Sequence, residues 1–383
     1  QSSISITKAL YNARLMGLEL YPTLSGSFGA STGRDLSTSD TFSKSFSGEL
    51  SLSYELDYLN KAGLIAESTE LEYSATILDW QAARLTLVNS VVDVYYNIAY
   101  LLQARAIAAE SLANYSKLYA IADARYNAGK TDMANRLQAE QSLLSAENSL
   151  LDIDNQLKSM DQSLRNLLNM RPTDTLDIAY TDLTAVAPLE PDLDVPVSVL
   201  AARPDLKAAE MRLESAFNTV QVQKRGWYPS ISLRAALSSS APTVGEIFSF
   251  PTVAGSLSIS LPFLQWNTVK YNIKISETDY QSALLSFETT INVALNELAY
   301  YNYAYELTKT TLANSQQKNS TDQKLTAYHR ARYEAGSTEM ADLLSAINTE
   351  SSSRRDILNN SYQLIKYENM IYKATGGRFM KQM

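Results

Sequence analysis

Residues 332–341 read RYEAGSTEMA, and residues 125–134 read RYNAGKTDMA. The two segments lie 207 residues apart (332 minus 125), and each interrupts a long run that has no other Gly or Pro. Gly129 and Gly336 suit the left-handed backbone position that closes a helix. Each segment therefore predicts a helix that ends, turns sharply and is followed by another helix.

The residues after each glycine predict how the second helix begins. Thr131 and Thr338 are suited to cap it, because a hydroxyl accepts a hydrogen bond from a free amide of the first turn. Asp132 and Glu339 would then lie in the first turn, where negative charge complements the helix dipole. One chain is thus expected to form two αα-hairpins.

The same spacing of 207 residues relates other parts of the chain. Residues 20–25 read LYPTLS and match WYPSIS at 227–232, while GELSLS at 48–53 matches GSLSIS at 255–260. Several matches at one offset predict an internal duplication, which should be identified before the fold is assigned.

The duplication divides the chain into two structural repeats, residues 1–207 and residues 208–383. The first is predicted to contain the tail of a helix, strands at about 20–31 and 45–58, a long helix 64–128, a return helix 130–171 and an irregular segment 172–203. The second is predicted to contain strands at about 229–239 and 253–264, a long helix 268–335 and a return helix 337–375. Because the first repeat lacks the start of a helix that the second has, we expect Gln1 to be a truncated or processed beginning.

The predicted strands alternate between apolar and polar residues. Residues 49–54 read ELSLSY, and residues 256–261 read SLSISL. A period of two indicates a strand with one apolar and one polar face. A membrane barrel needs at least about eight strands, and open strand edges would invite pairing. The sequence therefore predicts that other copies of the chain complete a transmembrane β-barrel, and a trimer with four strands from each chain would give 12 strands.

The long predicted helices carry a coiled-coil pattern. At about 1.5 Å per residue, residues 64–128 would span roughly 100 Å. Seven residues from Ile77 to Ile98 recur at alternating spacings of three and four, apolar except for Arg84, and so do those from Leu284 to Tyr305. This is the 3.5-residue period of a left-handed coiled coil. The expected fold class is an α+β membrane protein with a long coiled-coil α-helical barrel and a transmembrane β-barrel.

Composition excludes several classes of protein. The chain of 383 residues has no cysteine and a single histidine, His329, so disulfides, zinc sites and His-based catalysis are not expected. Its net charge is −8 and it has no basic block, which argues against a nucleic-acid partner. No phosphate loop, nucleophile elbow or metal-spaced cluster is present, so we expect neither an enzyme nor a cofactor. No run of about 18 apolar residues is found, so no transmembrane helix is expected.

Two further motifs carry a resemblance to a known family. Residues 202–210 read ARPDLKAAE, and residues 226–233 read GWYPSISL. Together with the doubled RYxAG hairpin, they resemble the TolC-like outer-membrane efflux proteins over essentially the whole chain.

The resemblance implies a homotrimer in the outer membrane of a Gram-negative bacterium, in contact with membrane lipid and with a long periplasmic helical tunnel. It implies that the tunnel docks by its hairpin tips onto a periplasmic adaptor protein. The adaptor would connect it to an inner-membrane transporter, with the resistance-nodulation-division type favoured. The channel itself would conduct drugs or other small toxic compounds passively.

The resemblance also implies roles for residues near the two turns. Asp342, six residues past Gly336, would be an inward-facing carboxylate that narrows the periplasmic end, and Asn135 replaces that carboxylate in the first repeat. The expected periplasmic gate residues are Asp342, Asn135, Tyr333, Tyr126, Ser345 and Gln138. The expected adaptor-docking residues are Arg125, Gly129, Lys130, Arg332, Gly336 and Ser337.

Other interpretations stay open at this point. Asp342 could serve only as a first-turn acid, and Arg125 and Arg332 could serve only as last-turn cations, because the helix dipole favours both. The whole chain could be the exit duct of a type I protein-secretion or metal-efflux system, or a coiled-coil scaffold without a channel. Strands that are apolar on one face and polar on the other favour a channel, because a scaffold has no use for them.

Overall fold

The computed structural model describes residues 2–34, 42–191, 193, 197–249 and 252–378. In chain order its elements are α1 (Ser2–Leu18), β1 (Thr23–Gly33), β2 (Ser43–Glu55), α2 (Lys61–Asn127), α3 (Met133–Leu167), α4 (Val197–Leu200), α5 (Pro204–Arg225), β3 (Ser230–Ala241), β4 (Thr252–Ser260), α6 (Trp266–Glu334) and α7 (Met340–Ala374). Gln1, residues 192 and 194–196 of the predicted irregular segment, and the last five residues of the second repeat lie outside the described residues.

The chain divides into two compact units. Unit 1 comprises Gln1–Gln81 and Pro204–Ile291, and unit 2 comprises Ala82–Arg203 and Asn292–Met383. Each sequence repeat contributes residues to both units. The spatial units and the sequence repeats are therefore different divisions of the chain.

Unit 1 contains an antiparallel sheet with the strand order β1-β2-β3-β4. Its register places polar residues opposite polar ones, as with Ser25 and Ser51, and apolar residues opposite apolar ones, as with Leu233 and Leu257. Since successive side chains of a strand point to opposite faces, one face of the sheet is apolar and the other is rich in serine. β1 and β4 form the two edges of this sheet.

Two strands end earlier than the sequence predicted. β4 ends at Ser260 and not at about 264, and Pro262–Gln265 forms a 3₁₀ helix. Pro262 has no N–H for the strand ladder, but its fixed φ suits the start of a helix. β2 ends at Glu55 and not at about 58, because the Asp57 carboxylate caps the next helix by accepting from the amide of Gly63 at 3.0 Å.

Both hairpins of unit 2 close with a left-handed glycine, as expected. Gly129 has a φ of 67° and Gly336 a φ of 71°. In the first turn, the amide of Lys130 donates to the carbonyl oxygen of Arg125 at 2.8 Å, and the amide of Gly129 donates to that of Tyr126 at 2.9 Å. The second turn repeats both bonds. The pair of bonds is a Schellman motif, which satisfies the last carbonyls of the helix.

The prediction that Thr131 and Thr338 cap the second helices is wrong. Asp132 is the N-cap of α3, and its carboxylate accepts from the amide of Asn135 at 3.0 Å. Glu339 holds the equivalent position before α7 and makes no side-chain capping bond. Asp is as good an N-cap as Thr. Each of these helices therefore begins one residue later than it would if the threonine were the N-cap.

The end of α3 also differs from the prediction. The helix ends at Leu167, and Asn169 adopts a φ of 54°. The amide of Met170 donates to the carbonyl oxygen of Arg165 at 2.8 Å, which repeats the closing bond of the glycine turns. Asn tolerates the left-handed region better than other residues with a side chain. Asn169, and not Pro172, therefore ends this helix.

The expectation of no membrane-crossing helix needs a correction for α2. Within the described residues, α2 has a stretch of 18 residues with a mean hydropathy of 1.2, which is long and apolar enough to cross a membrane. One such stretch is weak evidence, because core helices of soluble proteins meet the same criterion. α2 has 67 residues, whereas about 20 span a bilayer, so crossing a membrane would not account for the helix.

Arg203, from the ARPD motif, is buried in unit 2 with 6% of its surface exposed. Its guanidinium lies 3.2 Å from the Glu297 carboxylate of α6 and donates to the carbonyl oxygen of Ala374 at 3.3 Å. Ala374 is the last residue of α7. The motif thus joins the chain before α5 to α6 and to the end of α7.

We predict that Arg203→Gln lowers the free energy of unfolding by roughly 3 kcal/mol, because it leaves the partly buried Glu297 carboxylate without its cation. The matched control is Arg212→Gln. Arg212 pairs with Glu72 and Asp79 but is 41% exposed, and an exposed ion pair contributes at most about 1 kcal/mol. Thermal unfolding followed by circular dichroism measures both variants, and equal losses would contradict the role of Arg203.

Candidate functional site

The twelve residues predicted to act at the gate or in docking all belong to unit 2. They lie at or just beyond the turns that join α2 to α3 and α6 to α7. The contacts around these two turns therefore decide which of the predicted residues act together.

A hydrophobic cluster packs the two hairpins of unit 2 together. Its buried members are Tyr115, Leu118, Ala122, Ala139, Ala146, Tyr333, Met340, Leu343, Leu344 and Ile347. They come from α2, α3, α6 and α7, so both hairpins contribute. Removing these side chains from water supplies the main driving force for holding the hairpins side by side.

The two turns have similar sequences but different environments. Tyr333 and Met340 of the second turn are 7% and 5% exposed. Their counterparts in the first repeat, Tyr126 and Met133, are 38% and 54% exposed. Only the second turn places its tyrosine and methionine in the cluster.

Arg125 and Tyr333 form the direct contact between the hairpins at the turns. A guanidinium nitrogen of Arg125 donates to the Tyr333 hydroxyl at 2.9 Å, and its Cζ lies 4.7 Å from the centre of the ring. The contact combines a hydrogen bond from a charged donor with a cation–π interaction. Burial raises the pKa of Tyr333, and the nearby Arg125 charge partly offsets this.

Arg332, the counterpart of Arg125, bonds within its own hairpin. Its guanidinium donates to the carbonyl oxygen of Ser337 at 2.9 Å and to the Tyr328 hydroxyl at 3.0 Å. The Ser337 hydroxyl donates back to the carbonyl oxygen of Arg332 at 3.0 Å. Arg332 therefore fixes the shape of one turn, whereas Arg125 connects two.

Asp342 and Asn135 each bond inside their own hairpin and not to each other. Asp342 is exposed in the first turn of α7, and its carboxylate accepts from the Thr338 hydroxyl at 2.7 Å. The amide of the Asn135 side chain donates to the Thr131 hydroxyl at 3.0 Å. The threonines misassigned as caps thus hold the two candidate gate residues in equivalent positions.

The remaining predicted residues lie on the surface. Ser345 and Gln138 are exposed on α7 and α3, one turn beyond Asp342 and Asn135, and Lys130, Gly129 and Gly336 are exposed in the turns. Tyr126 lies 6.0 Å, measured to its ring centre, from the Cζ of Arg136.

Arg136 is a residue that the sequence reasoning missed. It donates to the Asp123 carboxylate at 2.6 Å and to the Tyr119 hydroxyl at 3.1 Å, which joins the two helices of the first hairpin. Residues at similar distances on either side of a tight turn face each other in antiparallel helices, and that rule could have paired Asp123 with Arg136. The second repeat has Leu343 in place of Arg136, so the duplication does not repeat this charged pair and could not draw attention to it.

A second missed contact joins α2 and α7. The side-chain amide of Asn89 donates to the backbone carbonyl oxygen of Asn369 at 2.6 Å. In return, the side-chain amide of Asn369 donates to the backbone carbonyl oxygen of Asn89 at 2.9 Å. Asn89 is buried. The two asparagines lie 280 residues apart, and no repeat or motif connects them in the sequence.

The predicted site residues at the two turns are mainly polar. In the described ranges, no group of three or more His, Asp or Glu side chains could hold a metal ion. The arrangement supplies exposed polar groups, the exposed Asp342 carboxylate on α7 and a fixed pair of turns. Such groups suit a pore lining and a docking surface.

Comparison with known proteins gives consistent matches over the chain. A family model described as outer membrane efflux protein matches residues 1–170 and 195–377. The chain is 40% identical over 380 residues to an uncharacterized protein of Haemophilus influenzae, covering 99% of this chain and 84% of that protein. It is 38% identical over 379 residues to the toxin and drug export protein A of Aggregatibacter actinomycetemcomitans, covering 99% of this chain and 83% of that protein.

The fold is similar to that of the MtrE outer membrane channel of Neisseria gonorrhoeae in its open state. The TM-score is 0.86 at 24% identity, covering 98% of this chain and 85% of that chain. This likeness confirms the predicted combination of long helices with a four-stranded sheet in each chain.

We predict energetic coupling between Arg125 and Tyr333. Tyr333→Phe keeps the ring and removes the acceptor, so it should lower the free energy of unfolding by about 1 kcal/mol in the wild type and by much less in the Arg125→Gln variant. Arg332→Gln is the matched control, because Arg332 bonds to Tyr328 and Ser337. Strictly additive effects of Arg125→Gln and Tyr333→Phe would rule out the contact.

We also predict that stability falls in alkali as phenols of the cluster ionise. Burial raises the pKa of Tyr115 from 10.0 to about 12. Between these values the unfolded chain binds fewer protons than the folded one, so the free energy of unfolding decreases as pH rises, and the full contribution is present below pH 10. Unfolding measured across this range should show a smaller decrease in Tyr115→Phe. The exposed Tyr126→Phe is the control, and an equal decrease in both variants would contradict the assignment.

Proposed function

We propose that this chain, which belongs to the outer membrane efflux protein family, forms a trimeric channel that is the exit duct of a tripartite efflux pump. Members of the family are channels in the outer membrane of Gram-negative bacteria and not enzymes, in agreement with the localisation and class expected from the sequence. The trimer, the pump partners and the role of each tip residue are parts of the proposal.

The observation that carries the proposal is the sheet of unit 1. Its apolar face includes Leu24 and Leu257, which are exposed in the single chain, and its other face is lined mainly by serine. An apolar outer face and a polar inner face are what a transmembrane β-barrel requires. In lipid the edges β1 and β4 need partners for their backbone groups, and further copies of the chain would supply them.

Exposed apolar residues on the helices of unit 2 support association with further copies. One set of exposed residues on α3, spaced by seven, is Leu137, Leu144 and Leu151, and a set with the same spacing on α6 is Val293, Tyr300 and Leu307. A repeat of seven is the spacing at which one helix packs along another in a coiled coil. We infer that these two sets pack against neighbouring copies in a closed helical barrel.

We propose Asp342 as the main carboxylate of the periplasmic gate. It is exposed and is held in place by Thr338, and a trimer would bring three copies around one axis. Asn135 at the equivalent position of the first repeat would leave the ring with three charges and not six. Ser345 and Gln138 would line the next turn of the pore, and Tyr126 and Tyr333 would flank it.

We propose that the two turns form the docking surface for a periplasmic adaptor protein. The residues of this surface are Arg125, Gly129, Lys130, Arg332, Gly336 and Ser337. Lys130 and Ser337 are exposed at equivalent positions of the two turns. Since Arg125 and Arg332 already bond to tip residues, we assign them the task of fixing the shape of the turns.

For the cargo we propose drugs or other small toxic compounds, delivered by an inner-membrane transporter of the resistance-nodulation-division type. The similarity to a toxin and drug export protein supports this choice over metal efflux. Among the described residues no side-chain cluster suited to a metal ion was found. Substrate selection would then take place in the transporter, with the duct conducting passively.

We predict that the purified protein conducts ions in planar lipid bilayers and that Asp342→Asn raises its conductance or weakens its preference for cations. The physical reason is that three carboxylates near one axis attract cations and narrow the passage. Glu339→Gln is the matched control, since it removes the same charge from the same turn at a position not proposed to face the pore.

Two results would count against these assignments. Absence of currents, together with protein that stays in the aqueous fraction without detergent, would favour a scaffold over a channel. Currents that are the same in wild type and Asp342→Asn would remove Asp342 from the gate while leaving the channel intact.

A further inference from the structure

A cleft of about 260 Å³ lies in unit 2 between α2, α3 and α7, several helical turns away from the hairpin turns. Its lining is mostly polar. The residues are Ile107, Ala108, Ser111, Tyr115, Gln141, Ser142, Ser145, Ala146, Ser149, Asn348, Ser351 and Arg355. At about 30 Å³ for each water in the liquid, the cleft has room for a small solute together with several waters.

Arg355 is the only acidic or basic side chain among the residues that line this cleft. No carboxylate belongs to the lining, so the guanidinium places an uncompensated positive charge there. Its charge acts on the buried Tyr115 hydroxyl, whose pKa it lowers against the larger upward effect of burial. The cleft therefore favours a negatively charged solute.

The contacts of Arg355 leave most of its five donors for a ligand. Within the described residues it makes one weak hydrogen bond, from a terminal nitrogen to the Ser149 hydroxyl at 3.4 Å. The preceding residue, Arg354, is different, since it pairs with the Glu110 carboxylate at 2.8 Å. A half-buried guanidinium without a carboxylate partner is unusual, because charges taken from water need compensation.

The hydroxyl and amide groups of the cleft provide further donors. Ser111 and Ser351 hydrogen-bond to each other at 3.0 Å, and the Tyr115 hydroxyl bonds to Oδ1 of Asn348. That bond uses the amide oxygen of Asn348, so its NH₂ group remains a donor. Ser145 and Gln141 add a hydroxyl and an amide donor on α3, whereas the Ser142 hydroxyl already donates to the carbonyl oxygen of Gln138 at 3.0 Å.

We propose that this cleft binds one small oxyanion per chain, of the sulfate or phosphate class, with Arg355 as its principal partner. The planar guanidinium fits two oxygens of such an anion at once, and the serine hydroxyls satisfy the others. The anion would connect α7 of the second repeat to α3 of the first. This inference concerns a site outside the gate and the docking surface, and it stands whether or not the proposed function is correct.

The test is equilibrium dialysis of the detergent-solubilised full-length protein with radiolabelled sulfate, at constant ionic strength set with sodium chloride. We expect saturable binding near one sulfate per chain in the wild type and in Arg354→Gln. Arg355→Gln should bind at least tenfold more weakly. Unlabelled phosphate should displace the sulfate, because its oxygens offer the same acceptors.

A thermal measurement gives an independent reading. Sulfate stabilises proteins generally by exclusion from their surface, so all variants should show some rise in melting temperature. The wild type and Arg354→Gln should show an additional, saturable rise that Arg355→Gln lacks. If Arg355→Gln does not fold, Arg355→Lys is the alternative variant. It keeps the positive charge but loses the planar pair of N–H donors, so it should bind sulfate several-fold more weakly than wild type.

Three outcomes would overturn the proposal. They are the absence of saturable sulfate binding to the wild type, equal binding by wild type and the Arg355 variants, and equal loss in Arg354→Gln. The last outcome would show that general positive charge on α7, and not the cleft, attracts the anion.

Discussion

The structure depends on one constraint, that backbone N–H and C=O groups must be hydrogen-bonded wherever water is absent. The four-stranded sheet meets it between its own strands but not along β1 and β4. The apolar face makes a water-free surrounding favourable, and the same surrounding makes unpaired edges costly. In the proposed assembly, a channel wall shared among several copies would resolve this conflict, and the exposed residues of α3 and α6 that recur every seven positions fit the same arrangement.

Much of this fold could be predicted from local sequence. The glycine turns, the alternating strands and the long helices follow from backbone chemistry that acts within a few residues. The predictions were wrong where two suitable residues lie within three positions of each other, since Asp132 and not Thr131 caps α3, and Asn169 ends α3 before Pro172 can. Aspartate and threonine can both cap a helix, and a left-handed asparagine and a proline can both end one, so local chemistry alone permitted either residue at each position.

The candidate site was predicted less completely, because its contacts join residues that are distant in the chain. A duplicated sequence suggests two equivalent turns, yet Tyr333 is buried in the cluster and Tyr126 is exposed. Arg125 contacts Tyr333, whereas Arg332 stays within its own hairpin. The asymmetry arises because the second hairpin packs its tyrosine against α2 and α3, and no local pattern encodes which of two similar turns does so. The buried Arg203 was noticed as a motif, but its carboxylate partner Glu297 was not.

The reciprocal bonds between Asn89 and Asn369 limit how α2 and α7 can move past each other. A slide of one residue along the helix axis would shift each amide against its carbonyl by about 1.5 Å, which would lengthen and bend both bonds. Rolling or tilting about that contact disturbs the bonds far less. The asparagine pair therefore acts as a pivot, and any rearrangement of this helix pair is expected to be rotational, with the largest displacements at the points farthest from it.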